Sequence, residues 1–188
     1  MAKVKTKPNL NLLLKDRDDL GIDIVNRIIY FTGEISSLQS LEFLDARLTL
    51  LEKDGDDEII IKINSPGGCI YESSGMAGRI TSSPCTIITD VTGIAMSGAV
   101  SLLAVGDIRR VSKFASIMHH EARTLFIGRT GKLERDVEIL KQEDHRRMQF
   151  LADYTNKPVS WWHEICKNGD YYITPEEALA IGLVDEVY

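Results

Sequence analysis

Glu58-Ile59-Ile60-Ile61-Lys62-Ile63-Asn64-Ser65-Pro66-Gly67-Gly68 is an isoleucine run that stops at a turn. A β-branched run of this length is expected as a strand, and its near-continuous apolarity suits a strand covered on both faces of a sheet. The Pro-Gly-Gly end breaks that strand, and the paired glycines permit backbone angles closed to other residues. On the N-terminal side, Arg27 to Phe31 reads as another strand, stopping at Thr32-Gly33. Between the two lies a helix with Leu38, Leu41, Leu44, Leu48 and Leu51 on one face, Ser36 or Ser37 as its cap and Gly55 as its end.

The same alternation continues toward the C-terminus. Ile70 to Ile80 reads as a helix and Thr86 to Thr89 as a buried strand. Gly93-Ile94-Ala95-Met96-Ser97-Gly98-Ala99 then leads into an apolar helix over Val100 to Val105. Strands follow at Ile108–Val111 and Ser116–His119. Lys132 to Tyr154 is a long amphipathic helix with Leu133, Val137, Leu140, Met148 and Leu151 on its apolar face. Thr174-Pro175-Glu176-Glu177 carries a helix start, with Thr174 as cap, Pro175 at the first helical position and Glu177 completing a capping box. Gly182 ends that helix, and Leu183 to Val187 closes the chain as a strand. Strands alternating with helices predict an α/β fold on a largely parallel sheet, whose ligands bind beyond the carboxyl ends of the strands. The Ser65-Pro66-Gly67-Gly68 loop and the Ser97 turn both fall at such ends.

Composition narrows the function classes. The chain has 188 residues, 44% hydrophobic and 27% charged, with net charge -6. That suits one globular domain and lacks the clustered Lys and Arg of a nucleic-acid binder. The one basic cluster, Lys3, Lys5 and Lys7, reads as a solvated end. No run approaches the ~20 apolar residues of a membrane span, and residues 1–20 do not have the pattern of a signal peptide. A cytoplasmic protein is expected. The three cysteines, Cys69, Cys85 and Cys166, have neither the count nor the spacing of a disulfide framework or a zinc site. They are expected as reduced, partly buried thiols.

Ser97 lies after a strand and before a helix, between small residues that let the chain turn sharply. A serine here is either a helix cap or a nucleophile at a helix N-terminus. A nucleophilic serine needs a base. Among the four histidines, His145 and His163 read as structural or surface residues. His119 and His120 end a strand, so their side chains point to opposite faces and only one of them faces a given cleft. The base needs an orienting acid. Asp170, beside the apolar Tyr171-Tyr172-Ile173, is a candidate, and equally a plain turn residue. Gly67 and Gly68 allow main-chain N–H groups to approach a ligand, as an oxyanion hole requires.

Taken in order, these segments resemble the ClpP family, the proteolytic subunits of Clp proteases. Ile63-Asn64-Ser65-Pro66-Gly67-Gly68 is similar to that family's I-N-S-P-G-G segment, and Gly93-Ile94-Ala95-Met96-Ser97 to its G-M-A-A-S segment. Leu102-Leu103-Ala104-Val105-Gly106 follows at the matching distance. Ile117-Met118-His119-His120 resembles V-M-I-H. Asp170-Tyr171-Tyr172-Ile173-Thr174-Pro175-Glu176-Glu177-Ala178 resembles D-x-F-(L/M)-(S/T)-x-x-E-A, and Gly182-Leu183-Val184-Asp185 the G-L-(I/V)-D ending. Phe31-Thr32-Gly33 matches an early strand end. The resemblance spans about residues 25–188. Two departures stand out. Gly98-Ala99 replaces the Met-Gly that follows the family serine, and Glu121-Ala122 replaces the Gln-Pro that follows the family histidine.

The resemblance implies a ClpP/crotonase-like fold of repeated β-β-α units on a largely parallel sheet, with a protruding handle helix. It divides the chain into an N-terminal segment, 1–24, expected as an axial loop or as disorder, and a peptidase domain, 25–188, with a handle region about 122–155. It makes Ser97 the nucleophile and Asp170 the orienting acid. The N–H groups of Gly68 and Gly98 become the oxyanion hole. Anchoring on Met118 makes His120 the base, while anchoring on the preceding strand favours His119. No cofactor or metal is implied. The implied partners are peptides or unfolded proteins, further copies of this chain in stacked seven-membered rings, and an AAA+ Clp ATPase. Neither nucleic acid nor membrane is among them. Related folds also serve as acyl-CoA enzymes of the crotonase type, as signal-peptide peptidases with a Ser-Lys dyad, as inactive ring subunits and as phage head-maturation proteases or scaffold components.

Overall fold

The computed structural model describes residues 20–36 and 39–188. The expected axial loop and Lys3, Lys5 and Lys7 lie outside the described residues, apart from the last few residues of the 1–24 segment. The N-terminal half runs β1 (Ile22–Asp23), β2 (Ile28–Thr32), α1 (Ser40–Lys53), β3 (Ile59–Ser65), α2 (Ile70–Thr81), β4 (Ile87–Met96) and α3 (Gly98–Ala104). The C-terminal half runs β5 (Ile108–Val111), β6 (Ser116–His119), α4 (Thr130–Asp153), α5 (Val159–Cys166), β7 (Tyr171–Ile173), α6 (Pro175–Ala180) and β8 (Glu186–Val187).

The strands form one sheet in the order β1-β2-β3-β4-β5-β8. The β2-β3, β3-β4, β4-β5 and β5-β8 pairs are parallel, and β1 is antiparallel to β2. Strand β4 is long enough to serve two neighbours. Ile88 to Val91 pair with β5, and Ile94 to Met96 pair in parallel with β6. Strand β7 then adds to β6 antiparallel. The sheet is therefore mixed α/β and largely parallel, as the alternation of elements predicts.

Leu44, Leu48 and Leu51 of α1 and Met76, Ala77 and Ile80 of α2 are buried in one core with Ile59, Ile61 and Ile63. The isoleucine run is not covered equally on both faces. Its burial alternates, with Ile60 and Lys62 only half-buried, because the core helices take the other face. Helix α3 is buried along its whole length.

Several local expectations are corrected. Helix α1 starts at Ser40 with Gln39 at its cap position and no side-chain capping bond. Ser36 instead donates its N–H to Ser40 Oγ (3.0 Å), while Ser37 and Leu38 lie outside the described residues. Thr174 does cap α6, accepting from Glu177 N–H (3.1 Å), but the Glu177 carboxylate does not close a capping box. It accepts from the Tyr171 hydroxyl (2.7 Å), a better donor within reach. The final strand is shorter than expected, because Leu183 and Val184 turn back to donate to Ala178 O. Helix α5 has no counterpart in the sequence reading, since it is only eight residues long and is held by burial of Trp162 and Cys166.

Helix α4 has 24 residues, and its only buried ones are Arg147, Met148 and Leu151, near its end. Val137 and Ile139 are exposed, as are Leu125 and Ile127 in the segment before the helix. These four apolar side chains are therefore left out of this chain's own core.

Candidate active site

Three strands converge on one cleft. In the β4-β6 ladder Met96 pairs with Met118, and the ladder is extended by Ser97 N–H donating to Met118 O (2.8 Å). In the β6-β7 ladder Met118 pairs with Tyr172 and His119 with Tyr171. The ladder ends there, with His120 the residue after His119 and Asp170 the residue before Tyr171. Ser97, His120 and Asp170 thus sit just past the ends of adjoining ladders, far apart in sequence and brought together by register.

Ser97 occupies the cap position of α3 with φ 52° and ψ −120°, and its side chain makes no capping bond. A non-glycine residue at positive φ is strained. Ordinary N-caps are extended and use their oxygen on the helix. This serine does neither, so the plain helix-cap explanation does not describe it. Its hydroxyl is left to face the cleft, with no hydrogen-bond partner among the described residues.

The Pro-Gly-Gly turn packs directly against this serine. A Cβ on Gly67 (φ 86°) would lie 2.3 Å from Met96 O and 2.8 Å from both Ser97 Cβ and Gly98 N. Only glycine permits that approach. Gly68 (φ 147°) is tied to Ile35 by a bridge that uses Gly67 O and Cys69 N–H, and its own N–H has no acceptor among the described residues. Gly98 opens α3, where the N–H groups have no intrahelical acceptor. Two main-chain donors therefore flank Ser97.

A cavity of about 1140 Å³ opens over these groups. Ser97, His120, Gly67, Gly68 and Cys69 line it, together with Tyr71, Arg123, Phe126, Leu140 and Arg147. His119 does not. Its ring is fully buried, edge-on to Trp162 with centroids 5.1 Å apart, and its Nε2 is 3.2 Å from Met148 Sδ. Its Nδ1 has no partner, and burial pushes its pKa far below the usual histidine value. His120 is half-buried, and burial lowers its pKa as well.

Ser97 and His120 share the cavity lining and Asp170 does not, and each of His120 and Asp170 has another partner. His120 Nδ1 lies 2.5 Å from Glu121 O. Asp170 is ion-paired with Arg123. Among the described residues, Ser97 makes no hydrogen bond to His120, and Asp170 makes none to His120. His145 and His163 stack on each other away from the cavity, with Nδ1 and Nε2 3.1 Å apart. Cys166 is buried, and burial raises its thiol pKa to about 11, which makes it inert. No disulfide forms among Cys69, Cys85 and Cys166. Among the described residues, no group of three or more His, Cys, Asp and Glu is placed to hold a metal ion.

A strained serine at a helix start, beside a double-glycine turn and a cleft histidine, fits the match found by comparison. The sequence profile of the Clp protease family covers residues 18–188. The chain belongs to the Clp protease family. An ATP-dependent Clp protease proteolytic subunit 1 from Prochlorococcus marinus is 30% identical over 181 residues, covering 92% of this chain and 91% of that one. A proteolytic subunit from Deinococcus radiodurans is 31% identical over 182 residues, covering 91% and 87%. A solved ClpP1 mutant from Listeria monocytogenes superposes with a TM-score of 0.79 at 22% identity, covering 92% of this chain and 95% of its own, so it shares the Clp protease fold. Nothing in the sequence pointed to Arg123 or Arg147 at the site. Each is a single charge in a polar segment, and only the fold brings them to the cleft.

Proposed function

We propose that this chain is a ClpP-type serine endopeptidase with Ser97 as nucleophile, His120 as base and Asp170 as orienting acid. The observation that supports the reading is that Ser97, His120 and Asp170 each lie one residue beyond the paired ends of β4, β6 and β7. Ser97 Oγ attacks a peptide carbonyl while His120 Nε2 takes its proton. His120 then delivers that proton to the leaving amine, and water repeats the sequence on the acyl-enzyme. Asp170 accepts from His120 Nδ1–H, which fixes the tautomer and stabilises the imidazolium. The N–H groups of Gly68 and Gly98 donate to the tetrahedral oxyanion, where losing one donor costs about 10²–10³ in turnover. The burial of His119 argues against it as the base. Two small movements complete the set: the His120 ring turns away from Glu121 O, and Asp170 exchanges Arg123 for His120.

The substrates are peptides or unfolded chains. The exposed apolar residues of α4 and the segment before it support assembly of several copies around a chamber, and stacked seven-membered rings are the form the family resemblance implies. An AAA+ Clp ATPase partner follows from the relatives, whose names describe ATP-dependent proteases. No helix of the described residues is long and apolar enough to cross a membrane, and the reading is of a cytoplasmic enzyme. The engaged Asp170 favours one second reading, a ring subunit that does not cleave.

Fluorophosphonate labelling followed by peptide mapping separates the two readings. The peptidase reading expects a single adduct on Ser97, absent in Ser97→Ala and strongly slowed in His120→Ala. A folded, assembled protein that takes up no label, with or without a Clp ATPase, sinks it in favour of the silent subunit.

A further inference from the structure

Past the end of β6 the main chain leaves the sheet, and its next polar groups have no ladder to join. Two side chains one turn apart on α4 take them instead. Asp144 Oδ1 accepts from Ala122 N–H (2.9 Å) and from Arg147 Nη2 (2.8 Å). The same Arg147 nitrogen donates to His120 O. A continuous path runs from Ala122 N–H through the carboxylate and the guanidinium to His120 O, spanning the peptides on either side of Glu121.

This pair is costly to keep. Its side chains are only 6% and 14% exposed for Arg147 and Asp144. Arg147 Nε is buried with no partner at all among the described residues. Burying an incompletely satisfied guanidinium is unfavourable unless its remaining bonds do something an apolar side chain cannot. Charge-assisted bonds to backbone are among the stronger and more directional ones available.

We propose that Asp144 and Arg147 clamp the main chain that carries His120 and act as positioning residues for that base. The inference rests on the reading of His120 as the base of Ser97. The clamp holds the backbone at residues 120 and 122, so the imidazole keeps only its side-chain rotation as a degree of freedom. Turning that ring from Glu121 O toward Asp170 then needs no movement of the strand. A misplacement of ~1 Å at a reacting group costs about 100-fold in rate, which is the order of effect the clamp prevents.

The charges around His120 come from three segments. Arg123 and Glu121 lie on its own loop, with Asp170 behind Arg123. Arg147, Asp144, Glu143 and Asp136 come from α4, all but Asp144 of them lining the cavity. Burial lowers the His120 pKa most, the hydrogen bond to Glu121 O raises it, Arg123 and Arg147 both hold it down, and Asp144 opposes them. Removing the Arg147 charge therefore moves the titration of His120 to higher pH.

The test combines hydrogen–deuterium exchange with the pH profile of Ser97 labelling, on the full chain in its native assembly. In Arg147→Met and Asp144→Ala, peptides containing Ala122 exchange about tenfold faster, while β2 and β3 are unchanged. Labelling slows by about 10- to 100-fold, and in Arg147→Met its pH midpoint rises. Arg147→Lys keeps the charge but not the two-way span, so its midpoint stays near that of the unaltered chain while its rate still falls. This variant also covers the case in which Arg147→Met does not fold. Unchanged exchange, or labelling at the original rate and midpoint in these variants, overturns the clamp. Labelling of the unaltered chain that is indifferent to His120→Ala removes the base itself and the clamp's role with it, and that result is visible before any α4 variant is made.

Discussion

At the scale of single residues, the acid of the proposed triad is ion-paired with an arginine rather than with the proposed base. Arg123 is largely exposed and holds the carboxylate of Asp170. Exposed ion pairs contribute about 0–1 kcal/mol, so this lock is a light one. Arg123→Ala is expected to speed Ser97 labelling by up to about fivefold, measured as the pseudo-first-order rate at fixed probe concentration. A slower rate would mean that Arg123 aids the reaction instead. His120 must be neutral to act as a base, and its pKa is lowered from 6.5, first by burial. Labelling should therefore be at full rate at neutral pH and fall only as pH drops through a midpoint below 6.5. A midpoint above 7 would contradict this assignment. Which histidine faces the cleft was half-legible: strand alternation says that His119 and His120 part company. It does not say which side the cleft is on, and that is settled by Trp162 and Met148, contributed by helices that join β6 only in three dimensions.

Among elements, the junction of the Pro-Gly-Gly turn with the start of α3 carries the most constraint. Gly67→Ala puts a methyl 2.3 Å from Met96 O and 2.8 Å from Ser97 Cβ, and both obstacles are rigid. The chain is expected to fold through its α1, α2 and sheet core, yet to lose labelling by at least about 100-fold. Circular dichroism and the labelling rate check the two halves separately, and a fully reactive Gly67→Ala would show that the turn does not set the serine's geometry. The main strands and helices around this junction were readable because their periodicity is strong and their ends carry glycine or proline. The short elements were not. Neither β1, with two residues, nor α5, with eight, has enough periodicity to stand out, and each exists because tertiary burial of Ile22 or Trp162 favours it. The role of Glu177 was misread for a related reason, since its competing partner Tyr171 belongs to a different element.

For the whole molecule, the buried neutral His119 sets a pH dependence of stability. Its folded pKa lies far below 6.5, while in the unfolded chain it titrates near 6.5. The unfolded state thus binds the extra proton, and stability is complete above about pH 6.5 and falls below it, by about 1.4 kcal/mol per pH unit from this ring alone. His119→Leu should flatten that slope between pH 6.5 and 5 in urea titrations, because it removes the group that takes up a proton only on unfolding. An unchanged slope would place the acid sensitivity elsewhere. The exposed apolar residues of α4 and its approach predict assembly, and light scattering should return a mass well above the 21.0 kDa of one chain. A stable monomer would leave those residues without a purpose.

The pairing of β7 with β6 has a further consequence, one of timing. Fifty residues separate His120 from Asp170 in the chain, and α4 and α5 are made in between. At a synthesis rate of about 5–20 residues per second, the acid leaves the ribosome roughly 3–10 s after the base. Contacts so distant in sequence also form late in folding. On the proposed assignment, a nascent chain carries its serine and histidine for seconds before the third member of the set exists, and the set is complete only once β7 docks on β6.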